Sequence, residues 1–598
     1  MFAVLLVSGS LAQGSACCQV ALQSAPECGK IGSPRLDAKE LAELEGQIRS
    51  LYAKLAPSVV RFFNPKRASS GFSGVIVSPS GEVLTCAHHN LPPNTKVVAE
   101  LADGRRVQAT ILGSVKQEPS SRSRYAAADI GMARLDAKGP WPAVAHCSPS
   151  DVKAGARCLA LGYPNAYLSG QPPLLRLGRV LAHDPFGRIR TSCRGQPGDS
   201  GGPLFDLDGR LIGVLNAMES LKTGVTLDSS VEAFIALRDR LRAGEAGVFE
   251  RDLPDLFEWR KEESGWAIRP RKGSQKPQVA EPQSDRWGWE PDGAHKTILT
   301  KVRSIVEILS DNRIVAFGLV VDKDGWVLTK RTVLTGPTGP QRITCRLGDG
   351  KQFDARVVGE SGAHDLALLK IPAAGLAAVL WGDADDLKVG RLIASLGPGP
   401  ECLHYAVVAA VGCKNPGIKG ELPIRVEPAP AGTKSVQCSG FPKERLDIDE
   451  VRGSLRPGDR ITHVDDIATA TVAEFATACD RRMQGPDSLA GEWVKLTVER
   501  ERKVEYVFVP LVAGPAPLPI PWRDARWNLR RNGFPVVFCH DGGIASDRCG
   551  GPVVDRSGNV LGVNIARADP MQTFAIPSDV VQKVIATMKA RAQRRAIR

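Results

Sequence analysis

The sequence predicts a mainly β protein built from two copies of one fold, the second copy interrupted by an inserted domain. Three observations predict it. After residue 56 the chain runs in short apolar strands broken by Gly, Pro and Asn turns, the pattern of a β-sandwich or barrel. Three stretches of the first half recur in the same order in the second. Between the last two recurring stretches, the second half carries 113 residues more than the first, enough for a small domain.

Taken in order, residues 1–16, MFAVLLVSGSLAQGSA, form an apolar run that turns into small residues. It is shorter than the stretch of about 20 that spans a bilayer. It reads as a signal-peptide-like segment with two cleavage-like sites, Ser10-Leu-Ala12 and Gly14-Ser-Ala16. The expected location is therefore periplasmic or secreted, and Cys17, just after the small residues, raises a lipoprotein as an alternative. Residues 36–56 have apolar residues at helical spacing among strong helix formers and predict a helix. Strand-like runs follow, among them GVIVSPSGEVLT, ADIGMARLD, ARCLALGYP and LLRLGRVLA, and a helix over 229–244 closes a first unit, 36–245. Residues 246–295, rich in charge, Pro and Gly and holding Trp259, Trp266, Trp287 and Trp289, read as a linker.

The repeat pairs residues 74–90 with 318–334, 128–136 with 364–372, and 198–217 with 547–566. A second unit is thus expected over 296–415 and 520–590, with the insert at 416–515, near the tip of a hairpin between Gly412 and Phe534. In the insert, SLRPGDRITHVDDIATATVAEF (454–475) places a tight turn, a strand, a β-turn and a helix before two further strands within 493–511.

The first half carries the residue types that acyl transfer by a serine requires: a nucleophile, a base, a group to orient the base, and N–H donors for the oxyanion. Gly198-Asp199-Ser200-Gly201-Gly202-Pro203 can turn tightly enough for the N–H groups of Gly198 and Ser200 to converge on one oxygen while the Ser200 hydroxyl faces a cleft. Thr85-Cys86-Ala87-His88 ends a strand and offers a base near neutral pH; the adjacent His89 competes, and the repeat register favours His88. Asp129 opens an apolar strand, where orienting an imidazole satisfies a buried carboxylate.

This order of His, Asp and Ser, with TCAH (85–88), ADIGMARL (128–135) and GDSGGP (198–203), resembles the trypsin-like serine proteases, and more closely their HtrA/Deg branch. TFAIPSDVV (573–581) and the helix leading into Ser58-Val59-Val60 resemble that branch too. The insert resembles a PDZ domain of the bacterial type. The resemblance implies two chymotrypsin-like double β-barrel domains, the second interrupted by a PDZ domain. It implies an exported endopeptidase acting on unfolded or misfolded proteins without cofactor or metal, with C-terminal peptides as PDZ ligands and homo-oligomers as a common state. The chain departs from the branch in having Asp199, rather than Asn, before the serine, and in the place of its PDZ-like insert. No activation-cleavage motif precedes the first unit.

In the second unit Thr332, Asp365 and Cys549 stand at the three positions, so only the acid is kept. His364 and His540 are near in sequence but off the base position. This unit reads as a pseudo-protease that recognises substrates or regulates the first. For specificity, Arg194 either lines the base of the primary pocket, favouring an acidic residue before the scissile bond, or points outward; Asn216 is a candidate wall residue.

Two other classes compete. One is a non-catalytic scaffold that collects peptides through the insert by β-augmentation. The other follows from the net charge of +13, which suits a nucleic-acid or membrane surface; no nucleic-acid motif accompanies it, so a solvated basic surface is the preferred reading and this class ranks last. The 14 Cys show no CxxC pattern or zinc-ligand spacing.

Overall fold

A computed structural model describes residues 36–64, 67–119, 128–164, 170–183, 188–220, 224–251, 257–262, 265–270, 297–336, 339–340, 342–399, 403–441, 454–484, 488–513, 528–569 and 572–597. The signal-like segment, Cys17 and residues 252–256, 263–264 and 271–295 of the expected linker lie outside them.

In each half the short strands close into two barrels. In the first half, strands Val59–Asn64, Arg67–Ile76, Glu82–Thr85, Lys96–Leu101, Arg106–Pro119 and Ala128–Leu135 form a sheet whose last two members pair and close it. Strand Ala246–Arg251, from the expected linker, adds to this sheet in parallel beside Arg106–Pro119. Strands Arg157–Gly162, Leu174–His183, Arg188–Thr191, Pro203–Asp206, Leu211–Ser220 and Val225–Ser230 make the second barrel. The second half repeats this with closed barrels over Ile305–Lys370 and over Leu392–Asn415 plus Phe534–Pro577. Barrel rather than sandwich is set by the pairing of Arg106–Pro119 with Ala128–Leu135, which closes the sheet around a core that includes the fully buried Val60, Phe62, Val83, Val97 and Ala133.

The hydrogen bonds that frame one half recur in the other. Ser73 N–H donates to the Ser200 carbonyl at 2.9 Å and Phe317 N–H to the Cys549 carbonyl at 3.2 Å. The Thr85 hydroxyl donates to the Ser73 carbonyl at 2.7 Å and the Thr329 hydroxyl to that of Phe317 at 2.8 Å. The N–H groups of His88 and Thr332 each meet the carboxylate of Asp129 or Asp365 at 2.8 Å.

Strands His404–Asn415 and Phe534–His540 pair antiparallel, and the chain between them leaves through a short pair, Gly420–Glu421 with Val512–Ala513. Beyond that neck, strands Arg425–Pro428, Val436–Gly440, Arg460–Val464, Trp493–Arg500 and Lys503–Pro510 lie in this order in one sheet. With a helix over Val472–Gln484 they enclose a separate core of Val436, Leu455, Ile461, Phe475, Leu496 and Val509.

Helix α1 (Ala38–Leu55) joins the halves. Asp37 and Glu40 cap it reciprocally, a device worth about 1 kcal/mol. Leu41, Leu44, Ile48, Leu51 and Leu55 form its buried stripe. Gln47 donates to the Leu207 carbonyl of the first half at 2.8 Å, and Glu45 accepts the Leu392 N–H of the second at 3.1 Å. Beside the helix, strand Leu174–His183 packs on His404–Asn415. The Asp541 carboxylate accepts N–H groups from both, Leu177 at 3.3 Å and Val407 at 2.9 Å. Among the described residues no helix is long and apolar enough to cross a membrane.

Candidate active site

Strand Glu82–Thr85 ends in a one-turn helix, Ala87–His89, because Asp129 stands beside it on the paired strand Ala128–Leu135. One Asp129 oxygen takes the N–H groups of Ala87 at 2.7 Å and His88 at 2.8 Å, and the other meets His88 Nδ1 at 2.8 Å. Burial pushes the Asp129 carboxyl up, but the His88 ring and the two N–H groups outweigh it and hold it below the usual carboxylate range. An ionised Asp129 fixes the tautomer with the proton on Nδ1, leaving His88 Nε2 free to accept. His89 is excluded from this role by geometry. Its ring stacks on Phe72 at 4.0 Å, and burial followed by the neighbouring His88 lowers it to about 3.

Ser200 arrives from the other barrel. Cys86 Sγ and Gly201 N–H share the Leu215 carbonyl, at 3.1 and 2.8 Å, which brings the two segments together. A Cβ at Gly201 would lie 2.2 Å from both the Ser73 carbonyl and Thr85 Oγ1, and φ is +88°, so only glycine fits there. The Ser200 hydroxyl donates to the Asn216 carbonyl at 3.4 Å, a resting contact from which turning toward His88 requires a rotation about χ1. Ser73 Oγ donates to the Gly198 carbonyl at 2.8 Å. Among the described residues, the N–H groups of Gly198 and Ser200 are given to no protein acceptor, as unused oxyanion donors would be.

Asp199 accepts the Gln196 N–H at 2.8 Å and meets Arg176 Nη2 at 2.7 Å. Burial pushes its carboxyl up to about 6, against Arg176 and the Gln196 N–H. Cys86, His88 and Asp129 also bring three metal-ligating atoms within 4.8 Å of one another. Their hydrogen bonds account for the grouping: the thiol donates to Leu215, and burial and then Asp129 hold it protonated.

Of the two expected pocket residues, Asn216 sits beside the nucleophile, its side chain donating to Ser229 Oγ at 3.1 Å. Arg194 lies along Gly224, where an added Cβ would be 2.7 Å from its Nε. Its charge reaches the second half, where burial, Arg548 and then Arg194 lower His404 to about 4.

In the second half Thr332, Asp365 and Cys549 occupy the same frame with different partners. Asp365 is fully buried and takes the Thr332 N–H and hydroxyl, at 2.8 and 3.0 Å, and the ammonium of Lys330. Lys330 stands at the position of Cys86 and takes the place of the imidazole as partner of the acid. Cys549 Sγ donates to Asn528 Oδ1 at 3.1 Å, and burial pushes the thiol up to about 12; a thiol so held is no nucleophile. Asn528 Oδ1 also takes the Arg567 N–H at 2.7 Å, and its Nδ2 donates to the Ser546 carbonyl at 3.2 Å, so the chain returning from the insert lies against Cys549. Arg530, in the same segment, pairs with Glu492 at 2.6 Å, and Glu492 also holds Arg331. His540 is fully buried and bonded to Asn564 at 2.8 Å, and His364 meets Ser361 at 3.0 Å.

Sequence reasoning did not find Ser73, Arg176, Lys330 or Asn528. A signal exists for Arg176 alone: it is a charge inside the apolar run LLRLGRVLA, flanked by the buried Leu175 and Leu177.

Comparison with known proteins finds the trypsin-like peptidase domain at residues 72–214 and again at 316–439. The chain is 25% identical over 248 residues to a probable periplasmic serine endoprotease DegP-like of Hahella chejuensis, covering 38% of this chain and 50% of the relative. It is 28% identical over 258 residues to serine protease HTR4 of Rattus norvegicus, covering 41% and 48%. A DegP-like protein of Ectopseudomonas mendocina is 29% identical over 201 residues, covering 32% and 39%. The matched part spans half or less of the length of these relatives. The chain carries the trypsin-like peptidase domain in both halves and is homologous to the DegP-like and HtrA serine endoproteases.

Proposed function

We propose that the chain is a serine endopeptidase whose one working site is His88, Asp129 and Ser200. Ser200 attacks a peptide carbonyl while His88 takes its proton and later returns it to the leaving amine. Asp129 orients the imidazole and stabilises its protonated form, and the N–H groups of Gly198 and Ser200 bind the oxyanion. The observation that carries this reading is the Asp129 carboxylate, which binds His88 by ring and backbone at once, at 2.8 Å each. The test is a fluorophosphonate probe together with casein turnover. The wild-type chain should label and cleave, and Ser200→Ala should do neither; equal casein turnover by both would sink the assignment.

The DegP-like relatives are named as probable periplasmic endoproteases, which supports export here, and their class supports protein substrates. Arg194 and Asn216 are proposed as pocket residues, with an acidic residue favoured before the scissile bond; a proteome-wide cleavage profile tests this. The insert is proposed as a PDZ domain. Its strand Arg425–Pro428 is a sheet edge next to the helix over Val472–Gln484, the arrangement into which a C-terminal peptide adds as a further strand. Substrate recognition and regulation fall to this insert and the second half, and homo-oligomers are measurable by light scattering. The rival reading, a peptide-binding scaffold without catalysis, predicts no probe labelling under any condition.

A further inference from the structure

We propose that Arg176 is a positioning residue that clamps the Ser200 loop, holding the Asp199 carboxylate and through it the N–H groups of Gly198 and Ser200. The catalytic consequence rests on the endopeptidase reading; the clamp itself rests on geometry. Arg176 and Asp199 are 2% and 1% exposed, with Nη2 and Oδ2 2.7 Å apart. Charges this deeply buried persist only when paired. Arg176 projects from strand Leu174–His183, in register with Ala160 of Arg157–Gly162. At the end of that facing strand, Gly162 leaves room for the carboxylate, since a Cβ there would lie 2.5 Å from Asp199 Oδ1.

The carboxylate closes the loop. Asp199 Oδ2 takes the Gln196 N–H at 2.8 Å, and Asp199 N–H returns to the Gln196 carbonyl at 2.9 Å. Pro197 and Gly198, at φ +100°, are left at the tip, and Ser200 follows at once. The opposite side of the loop is fastened by Ser73 from the other barrel, to the Gly198 and Ser200 carbonyls. Removing the cation leaves a buried carboxylate that must turn outward or take a proton. Turning outward releases Gln196 and moves the Gly198 N–H off the oxyanion position, whereas a protonated carboxyl, like an amide, keeps an oxygen for the Gln196 N–H. Because the cation is a side chain of the same barrel, the loop is set as the chain folds.

The experiment compares the full-length wild type with Arg176→Met, Arg176→Lys, Asp199→Asn and the double variant Arg176→Met/Asp199→Asn. It reads kcat and KM on a peptide substrate, hydrogen exchange of residues 196–201, and thermal unfolding. Arg176→Met should lose about 10²- to 10³-fold in kcat, the loss of one oxyanion donor, with KM within about threefold, and should exchange faster over 196–201. Arg176→Lys, which keeps the charge, should keep more kcat than Arg176→Met. The double variant, with neither buried charge, should return to within about tenfold of wild type. Unchanged kcat and exchange in Arg176→Met would overturn the proposal. If Arg176→Met does not fold, Asp199→Asn carries the comparison, and a double variant no better than that single one overturns it. A wild type inert to fluorophosphonate would fail the endopeptidase reading, and the exchange data would still decide the clamp.

Discussion

Asp129→Asn separates catalysis from stability. Asparagine keeps the oxygen that takes the N–H groups of Ala87 and His88, so the turn Ala87–His89 should survive. What changes is the partner of His88 Nδ1, now 2.8 Å from a carboxylate oxygen. An amide nitrogen there donates, so the imidazole must accept at Nδ1 and carry its proton on Nε2. In that tautomer it cannot take the Ser200 proton. Loss of the correct tautomer and of the charge that stabilises the imidazolium costs about 10³- to 10⁴-fold in kcat, which is about 4 to 5.5 kcal/mol of barrier. Folding loses one charge-assisted hydrogen bond, about 1.5 to 3 kcal/mol, offset because a neutral amide is cheaper to bury. The acid side of the stability profile should also change. The depressed Asp129 carboxyl contributes stability above the unfolded carboxylate range and loses it as pH falls through its folded value, and the variant removes that slope. Casein turnover, probe-labelling rate and calorimetry from pH 3 to 8 measure all three. Activity within tenfold of wild type, or a melting loss large enough to account for the missing activity, would refute the tautomer argument.

Other outcomes follow from buried charges. Asp228 is fully buried, with the hydroxyls of Thr191 and Thr226 at 3.0 and 2.9 Å, and burial pushes it up to about 7. A raised carboxyl is easy on the fold at acid pH and costs stability as pH rises through its folded value. Asp228→Asn should therefore gain stability over wild type at pH 8, on the order of 4 kcal/mol at most, and roughly a third of that at pH 5, where the unfolded carboxyl is already ionised and the folded one is not; a gain equal at both refutes it. Lys330→Met leaves Asp365 buried without its cation and should cost about 3 to 5 kcal/mol, most of it recovered in Lys330→Met/Asp365→Asn, measured by denaturant unfolding. Thr332→His/Cys549→Ser, made in a Ser200→Ala background, should show no probe labelling, because Lys330 already holds Asp365 and Asn528 holds the nucleophile position.

The three positions proposed as catalytic could be picked from sequence because each signal is local: a Gly-rich turn, a strand-end His and a strand-start Asp. Choosing His88 over His89 needed the reach of Asp129, which the internal repeat supplied indirectly. Barrel closure was not legible, since alternating strands fit a sandwich equally and only pairing between Arg106–Pro119 and Ala128–Leu135 decides it. Asn528 was invisible for a different reason. It stands 21 residues before Cys549 in a segment with no repeat counterpart, and only the return path of the insert puts it in the cleft. Arg194 was left open by sequence because its direction is set by the segment at Gly224 that it lies along, a contact between distant residues that leaves no periodic trace.

The second half shows which parts of the site belong to the fold and which to the chemistry. Asp365 keeps the N–H bond that Asp129 makes, at the same 2.8 Å, although Thr332 stands where His88 stands in the first half. An acid at this position is thus needed to close the turn whether or not a histidine follows. The charge left over when the imidazole is absent must be matched, and Lys330 matches it from the wall of the barrel. Arg331, next in sequence, then reaches Glu492 of the insert, and Glu492 reaches Arg530 of the returning chain. The segments that hold Lys330 and Asn528 in the second site are therefore the same ones whose neighbouring residues, Arg331 and Arg530, fasten the insert to it. On the proposed reading, placing an imidazole beside Asp365 would mean displacing Lys330, whose ammonium also reaches the Arg530 carbonyl at 3.3 Å, so a catalytic second site would disturb the segment that carries the insert.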